Sequence, residues 1–115
     1  MSSNAYVIGH ITVKDAEKWS EYRNQVPATL EPWGAELVLR GKLASILAGE
    51  HAHTDTVVIR FPDIKAINSW YSSPAYKALI PLRKTAAEIV LLSYEAQRSN
   101  INAVERDAPE SASPL

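Results

Sequence analysis

Residues 35–61, AELVLRGKLASILAGEHAHTDTVVIRF, contain two consecutive β-strand patterns with no helix between them. Apolar and polar residues alternate over 35–40, and Gly41 predicts a bulge or turn before the extended pattern continues in LASILAG. Residues 55–61 are rich in β-branched side chains and predict the next strand. Because only a short polar link joins the two strands, we expect them to pair antiparallel.

A helical pattern lies on each side of this pair of strands. Upstream, Asp15 is a candidate N-cap and apolar residues then recur at steps of three and four, although Pro27 predicts a kink or break. Downstream, Asp63 is a candidate cap, and Ser73 followed by proline predicts a second helix start. Pro81 predicts a further bend. The chain therefore carries two helical regions, the second of them interrupted.

The first and last strands of the pattern are predicted at residues 5–13 and 88–95. The order β-α-β-β-α-β predicts an α+β, ferredoxin-like domain, with a four-stranded antiparallel sheet and the helices on one face. We assign this domain to residues 1–96. Residues 97–115 are polar and without period, and predict a flexible tail or an arm on a partner.

Composition excludes several classes of function. The 115 residues contain 12 Lys+Arg against 13 Asp+Glu and no cysteine, so disulfides, thiolate catalysis and cysteine-held metals are ruled out. Basic residues are not concentrated on any one face, so nucleic-acid binding is not expected. No secretory signal is recognisable, and no apolar run approaches the ~20 residues of a membrane span. We expect a cytoplasmic protein with no nucleic-acid or membrane partner and no cofactor; no motif requires haem.

Side chains alternate in direction along each strand, so the residues can be assigned to the two faces of the sheet. The face expected beneath the helices carries Val7, Ile11, Val13, Leu37, Leu39, Val57, Ile59 and Phe61. The opposite face, here called the open face, mixes apolar and polar side chains: Tyr6, Ile8, His10, Thr12, Glu36, Val38, Arg40, Thr56, Val58 and Arg60. In the last strand the phase stays undecided between Val90, Leu92, Tyr94 and Ile89, Leu91, Ser93.

A half-apolar sheet face is usually buried against something, and a second copy of the chain is the simplest partner. Two copies packed face to face would enclose His10, Arg40 and Arg60 together with Glu36, and enclosed charges must be paired. One interpretation is a set of interface salt bridges to Glu36. The other is a small-molecule pocket in which the arginines hold a carboxylate or enolate.

The segment His51-Ala52-His53-Thr54-Asp55 offers candidate chemistry with three interpretations. Two histidines at spacing two could ligate a metal. The Asp55 carboxylate could orient the His53 imidazole as in general-base sites. Alternatively, Thr54 and Asp55 simply satisfy backbone donors in a polar loop, which is the commonest role of such residues. We favour the loop over the pair and the pair over a metal, so no metal site is expected.

Aromatic residues cluster around the second helical region. Trp70, Tyr71 and Tyr76 have helical spacing, which is typical of core residues, but a buried tyrosine hydroxyl needs a partner. Arg83, seven residues after Tyr76, lies on the same apolar stripe. Such an arginine either extends its charge outward to solvent or serves a site.

The runs YVIGHITVKD…KWSEYRNQVP, GEHAHTDTVVIRFPD and SWYSSPAYKALIPLRKTAAE resemble the domain-of-unknown-function family 1330, over about residues 5–96. That family is part of the dimeric α/β-barrel superfamily, so the resemblance implies a ferredoxin-like subunit whose open face dimerises. It marks as family-pattern positions His53, Asp55, Trp70, Tyr71, Tyr76 and Arg83. It implies no reaction, since the superfamily includes cofactor-free oxygenases, isomerases, haem enzymes and stress-response proteins.

Two functions follow as hypotheses. The first is a small-molecule enzyme or binder with a pocket between sheet and helices, performing proton transfer or cofactor-free oxygenation of an acidic or aromatic metabolite. The second is a non-catalytic homodimeric or higher assembly module. For the first, the catalytic candidates are His53, Asp55, Tyr71, Tyr76 and Arg83, and the substrate-binding candidates are His10, Arg40, Arg60 and Trp70.

Overall fold

The computed structural model describes residues 4–97. Its elements are β1 (Ala5–Val13), α1 (Ala16–Leu30), a 3₁₀ turn (Glu31–Trp33), β2 (Glu36–Lys42), β3 (Asp55–Phe61), α2 (Ile64–Ser72), α3 (Pro74–Lys77), α4 (Ile80–Ala86) and β4 (Ala87–Glu95). This order confirms the predicted fold, with the second helical region divided into three short helices. Apart from Gln97, the predicted tail lies outside the described residues. Over 4–97, no helix is both long and apolar enough to cross a membrane.

Side-chain caps define the helix starts as the sequence predicts. Asp15, Asp63 and Ser73 each accept a hydrogen bond from the backbone N–H three residues further on, at 3.1, 2.8 and 3.3 Å respectively. Helix α1 continues through Pro27, so the break expected there does not occur. Gly34 follows the 3₁₀ turn with φ of 70°, a left-handed conformation that glycine adopts without steric cost.

The strands form one antiparallel sheet in the order β2-β3-β1-β4. In the central strands the predicted phases are confirmed, because Val7, Ile59 and Phe61 are buried beneath the helices. Pairing also settles the phase of β4. Leu91 lies opposite Gly9 on the covered face, so Val90, Leu92 and Tyr94 belong to the open face.

Strand β2 departs from the predicted alternation because it contains a bulge. Leu37 pairs with Ile59 and Leu39 pairs with Val58, which leaves Val38 as an extra residue. An extra residue reverses the direction of every side chain that follows it. Leu39 therefore lies on the open face and Arg40 on the helix-covered face, the opposite of the sequence-based assignment.

The predicted extension of β2 through LASILAG is also wrong. The strand ends at Lys42, and residues 43–54 form a connection without regular secondary structure. One backbone hydrogen bond, from Leu43 N–H to the Thr54 carbonyl at 2.7 Å, closes its base. Beyond that point Ile46 and Leu47 are exposed to solvent.

The hydrophobic core fills the space between the helices and β1 and β3. Its buried members include Tyr22, Leu30, Phe61, Trp70 and Tyr76. Helix α1 packs along α4 rather than centrally over the sheet. As a result the helices leave the β2 side of the covered face partly uncovered, and Leu37 on that side is 49% exposed.

Candidate functional site

A cleft lies between α1 and the sheet, and it is here called the α1 cleft. Its volume is about 660 Å³, within the range of pockets that hold small molecules. The walls are mainly apolar and include Trp19, Tyr22, Val26, Leu30, Val57 and Trp70. The charged groups of its lining are Arg23, Glu31, Arg40 and Asp55. The cleft therefore suits a compact, mostly apolar ligand that carries a polar group.

At the base of the helices, three tyrosines and an arginine form a hydrogen-bonded group, here called the Tyr–Arg network. The Tyr22 and Tyr76 hydroxyls are 2.7 Å apart. Nη1 of Arg83 donates to the Tyr76 hydroxyl at 3.0 Å and to the Tyr71 hydroxyl at 3.3 Å. Tyr76 has no exposed surface and Arg83 is only 9% exposed. Trp70, Tyr71, Tyr76 and Arg83, all candidates from the sequence, are thus brought together.

A guanidinium can only donate hydrogen bonds, so the Tyr71 and Tyr76 oxygens accept from Arg83. Between Tyr22 and Tyr76, either hydroxyl can be the donor. Tyr22 also lines the α1 cleft, so this residue connects the network to the cleft.

Burial sets the charge state of these groups. It raises the pKa of Tyr22 well above its ordinary value, and the neighbouring Tyr76 raises it further, so Tyr22 stays protonated. Burial alone would lower the pKa of Arg83, but its bonds to Tyr71 and Tyr76 outweigh this and the pKa is raised. Arg83 is therefore a buried cation next to neutral phenols.

Within residues 4–97, no carboxylate balances the charge of Arg83. The ion pairs of this part of the chain are Lys42–Asp55 and Arg60–Glu36. The Arg83 Nε atom is buried without a hydrogen-bond partner. A buried charge without a counter-ion costs free energy, so the protein would gain stability from an anion placed beside it.

Trp70 links the network to the floor of the cleft. Its indole Nε1 donates to the Thr29 hydroxyl at 3.0 Å, and its ring lies 4.4 Å from that of Tyr76. Both partners are buried, which fixes the indole plane where it lines the cleft. Trp70 therefore both packs the core, as aromatic residues at helical spacing usually do, and contributes to a pocket wall.

Three histidines gather on the open face at the far end of β1. The ring centroids of His10 and His51 are 5.0 Å apart, and those of His51 and His53 are 5.9 Å apart. Burial, followed by repulsion from His51 and His53, lowers the pKa of His10. In the described part of the chain, no three histidine or acidic side chains are placed to hold a metal ion.

The hydrogen bond between His53 and Asp55 that the general-base interpretation requires is not formed. His53 Nδ1 lies 2.8 Å from the Thr12 hydroxyl instead. Asp55 accepts from the Thr54 hydroxyl at 2.6 Å and from Lys42 at 3.5 Å. The reason is that β3 begins at Asp55, so His53 precedes the extended backbone that would place both side chains on one face.

The remaining candidates divide between the two faces of the sheet. Arg60 pairs with Glu36, as expected, and the hydrogen bond that Arg60 donates to the Glu36 carboxylate raises the pKa of Arg60. Arg60 and His10 lie on the open face, away from the cleft. Arg40 and Asp55 line the cleft. These four candidates thus form a cleft pair and an open-face pair rather than one site.

Sequence reasoning missed Tyr22 and Thr29 as parts of this site. Tyr22 is one of the apolar residues whose spacing of three and four predicts α1, and Thr29 has no such signal. Each has a hydroxyl on the buried side of a helix, where it needs a partner, and that was the available signal. Their partners, Tyr76 and Trp70, lie more than 40 residues further along the chain.

The fold and cleft together define a ferredoxin-like domain with a pocket between its sheet and its first helix. A model of the family DUF1330, described as a domain of unknown function, matches residues 4–96. The chain therefore belongs to the DUF1330 family. No curated protein sequence is significantly similar to it.

Solved structures share the fold at low sequence identity. A protein of unknown function from Rhodopseudomonas palustris, RPA0582, has a TM-score of 0.71 at 15% identity, covering 85% of this chain and 85% of its own. A hydroxynitrile lyase from Passiflora edulis has 0.66 at 13%, covering 85% and 97%. SnoaB, a cofactor-independent oxygenase from Streptomyces nogalater, has 0.60 at 11%, covering 84% and 96%. Two further proteins of this fold, from Thermobifida fusca and Jannaschia sp. CCS1, are described as dimeric ferredoxin-like proteins of unknown function.

Proposed function

We propose that this protein binds a small aromatic or acidic metabolite in the α1 cleft and acts on it without a cofactor, as a homodimer. The observation that carries the proposal is the position of Tyr22. This residue lines the cleft, and its hydroxyl is hydrogen-bonded to Tyr76, which accepts a hydrogen bond from the cation of Arg83. A protonated donor polarised by a buried charge stabilises negative charge that develops on a ligand oxygen.

Each wall of the cleft has a role in this proposal. Trp19 and Trp70 offer aromatic surface to a ring, and Arg23 or Arg40 is available to a carboxylate. Tyr22 then donates to a carbonyl or enolate oxygen. Stabilising an enolate serves both proton transfer and oxygenation without a cofactor. The oxygenase and the lyase that share the fold support small-molecule chemistry on such a scaffold, as an analogy of fold alone.

A binding experiment with 2-naphthoate, an aromatic carboxylate, tests the proposal. Because two tryptophans line the cleft, binding should quench tryptophan fluorescence in a saturable way. Tyr22→Phe should weaken binding by about tenfold, which corresponds to ~1.4 kcal/mol and is the scale of one lost hydrogen bond. Ala35→Trp, which fills the cleft, should abolish it.

Tyr94→Phe is the matched control, because it removes a phenol hydroxyl from the open face. If the wild type, Tyr22→Phe and Ala35→Trp bind 2-naphthoate with equal affinity, the compound binds outside the α1 cleft. Absence of saturable binding to the wild type would remove the support for an aromatic acid. In that case native mass spectrometry of the protein as purified, which reveals any retained ligand, is the remaining check.

The homodimer in this proposal is supported by the open face. Leu39, Val90, Leu92 and Tyr94 are all exposed there, between 38% and 53%. Exposed apolar side chains on one sheet face are typical of an interface. Leu92→Glu should give a monomer in sedimentation velocity, whereas Lys65→Glu, on an exposed position of α2, should not change the assembly.

A non-catalytic assembly module is the second candidate function. The ion pair of Arg60 and Glu36 on the open face favours it, because facing sheets would enclose the pair in an interface. On this view Arg60→Gln weakens the dimer, and the wild type neither retains a ligand nor binds 2-naphthoate. A dimer that retains an aromatic acid would exclude it.

A further inference from the structure

A second cavity, here called the α4 pocket, lies where α4 passes into β4. Its volume is about 430 Å³. Arg83 and Lys84 line it from the end of α4, Glu88 from β4, Lys14 from the turn after β1 and His53 from the connection before β3. None of these five residues lines the α1 cleft. The two cavities share Ile89 as a lining residue, so the α4 pocket is a distinct cavity that adjoins the cleft.

The lining of the α4 pocket is positively charged. Lys14, Arg83 and Lys84 contribute three cations, and Glu88 contributes the one carboxylate among the described lining residues. No ion pair between Glu88 and any of these cations forms in the described structure. Three cations around one small cavity repel one another, and an anion placed between them removes that repulsion.

Arg83 is the buried member of this set. It is nine-tenths buried, with 9% of its surface exposed. Nη1 is occupied by the two tyrosine hydroxyls, while Nε is buried and without a partner. Nη2 also has no hydrogen-bond partner among residues 4–97, but unlike Nε it is not fully buried. Part of the guanidinium is thus left for a group that the described chain does not supply.

A structural role accounts for only part of this arrangement. Basic residues in the last turn of a helix interact favourably with its carbonyl groups, which explains Lys84 on α4. That interaction does not require a cation to be buried. For Arg83 an exposed position would serve the helix end equally well and would cost less desolvation.

We propose that the α4 pocket is an anion-binding site for a compact oxyanion, a carboxylate or a phosphate group, with Arg83 as its buried anchor. Lys14 and Lys84 close over the anion from the rim. His53, whose Nδ1 is hydrogen-bonded to Thr12, also lines the pocket. This site goes beyond the proposed function, because it does not depend on what occupies the α1 cleft.

Titration with two simple probes tests the site. The protein as it exists is titrated with sodium phosphate and, separately, with sodium acetate, against sodium chloride at matched ionic strength. The melting temperature and the heat of binding are recorded. At least one oxyanion should raise the melting temperature well above the chloride control and give a saturable heat. Phosphate alone would identify a phosphate-type ligand and acetate alone a carboxylate, and either result supports the site.

Variants locate the binding. Lys84→Gln should weaken oxyanion binding at least fivefold, and Lys14→Gln should do the same, because each removes one charge from the pocket. Lys65→Gln on α2 is the matched control, with the same change on an exposed helix face outside the pocket. These positions are exposed, so the variants are expected to fold.

Two outcomes would overturn the proposal. One is that neither oxyanion stabilises the protein more than chloride does. The other is that the Lys84→Gln and Lys65→Gln variants bind equally, which would indicate a non-specific effect of charge. The cleft-filling variant Ala35→Trp separates the two sites. It should abolish binding of 2-naphthoate and leave binding of the oxyanion unchanged.

Discussion

Replacing Tyr76 with phenylalanine is the most direct test of how the buried network is held. Tyr76→Phe keeps the ring in the core and removes one oxygen. The Tyr22 hydroxyl then loses its partner at 2.7 Å, and Arg83 keeps only its longer bond to Tyr71 at 3.3 Å. Each buried polar group left unsatisfied costs about 1–3 kcal/mol, so the variant should lose about 2–4 kcal/mol of unfolding free energy.

A loss of this size is readily measured. Whole domains of this class have about 5–15 kcal/mol of stability, and 1 kcal/mol corresponds to about 4–8 °C in melting temperature for a domain of under 100 residues. Tyr76→Phe should therefore melt roughly 8–30 °C below the wild type. Urea denaturation, at one fixed protein concentration because dimerisation adds stability, should show a lower midpoint with an unchanged slope.

Tyr71→Phe is the internal control for this prediction. Tyr71 is 40% exposed and has one long bond to Arg83, so its loss should cost under about 1 kcal/mol. In the double variant Tyr22→Phe/Tyr76→Phe, no tyrosine hydroxyl is left without a partner. Its loss of unfolding free energy should therefore be smaller than the sum of the losses of the two single variants. A Tyr76→Phe variant within about 0.5 kcal/mol of the wild type would refute the argument, because it would mean that water satisfies these groups.

Three further predictions concern single positions. Thr29→Val removes the acceptor of the Trp70 indole and should cost about 1–3 kcal/mol in urea denaturation, against Thr85→Val on the surface of α4 as control. Gly34→Ala forces a side chain into the left-handed region and should cost about 1–2 kcal/mol in the same assay; an unchanged midpoint would contradict it. The pKa of His10 is lower in the folded state than the ordinary value of 6.5, so the unfolded chain binds more protons between the two values. Stability should therefore decline as pH falls through and below about 6.5, and His10→Gln should flatten the melting-temperature profile there.

The sequence predicts the architecture because each element has a local signal. Capping by Asp15, Asp63 and Ser73 depends on residues three positions apart, and such contacts are read directly from the sequence. The phases of β1 and β3 are equally visible, since buried β-branched residues alternate with others along them. These features needed no knowledge of tertiary contacts.

The site was only partly predictable. Tyr76 and Arg83 were placed on one stripe, and they do meet, although they lie on two separate helices. The bulge at Val38 has no local signature that distinguishes it from regular alternation, and it moves Arg40 from the open face to the cleft. The Tyr22 contact spans 54 residues, so only the packing of α1 against α3 and α4 could reveal it.

The bulge has a consequence beyond the cleft, since β2 is an edge strand of the sheet. A straight edge exposes a row of unpaired N–H and C=O groups to which further chains can add, which is the first step of cross-β aggregation. The extra residue Val38 bends this edge, and Lys42 places a charge at its end. An apolar segment such as ELVL is therefore tolerated at the rim of the sheet without serving as a template for unlimited strand addition.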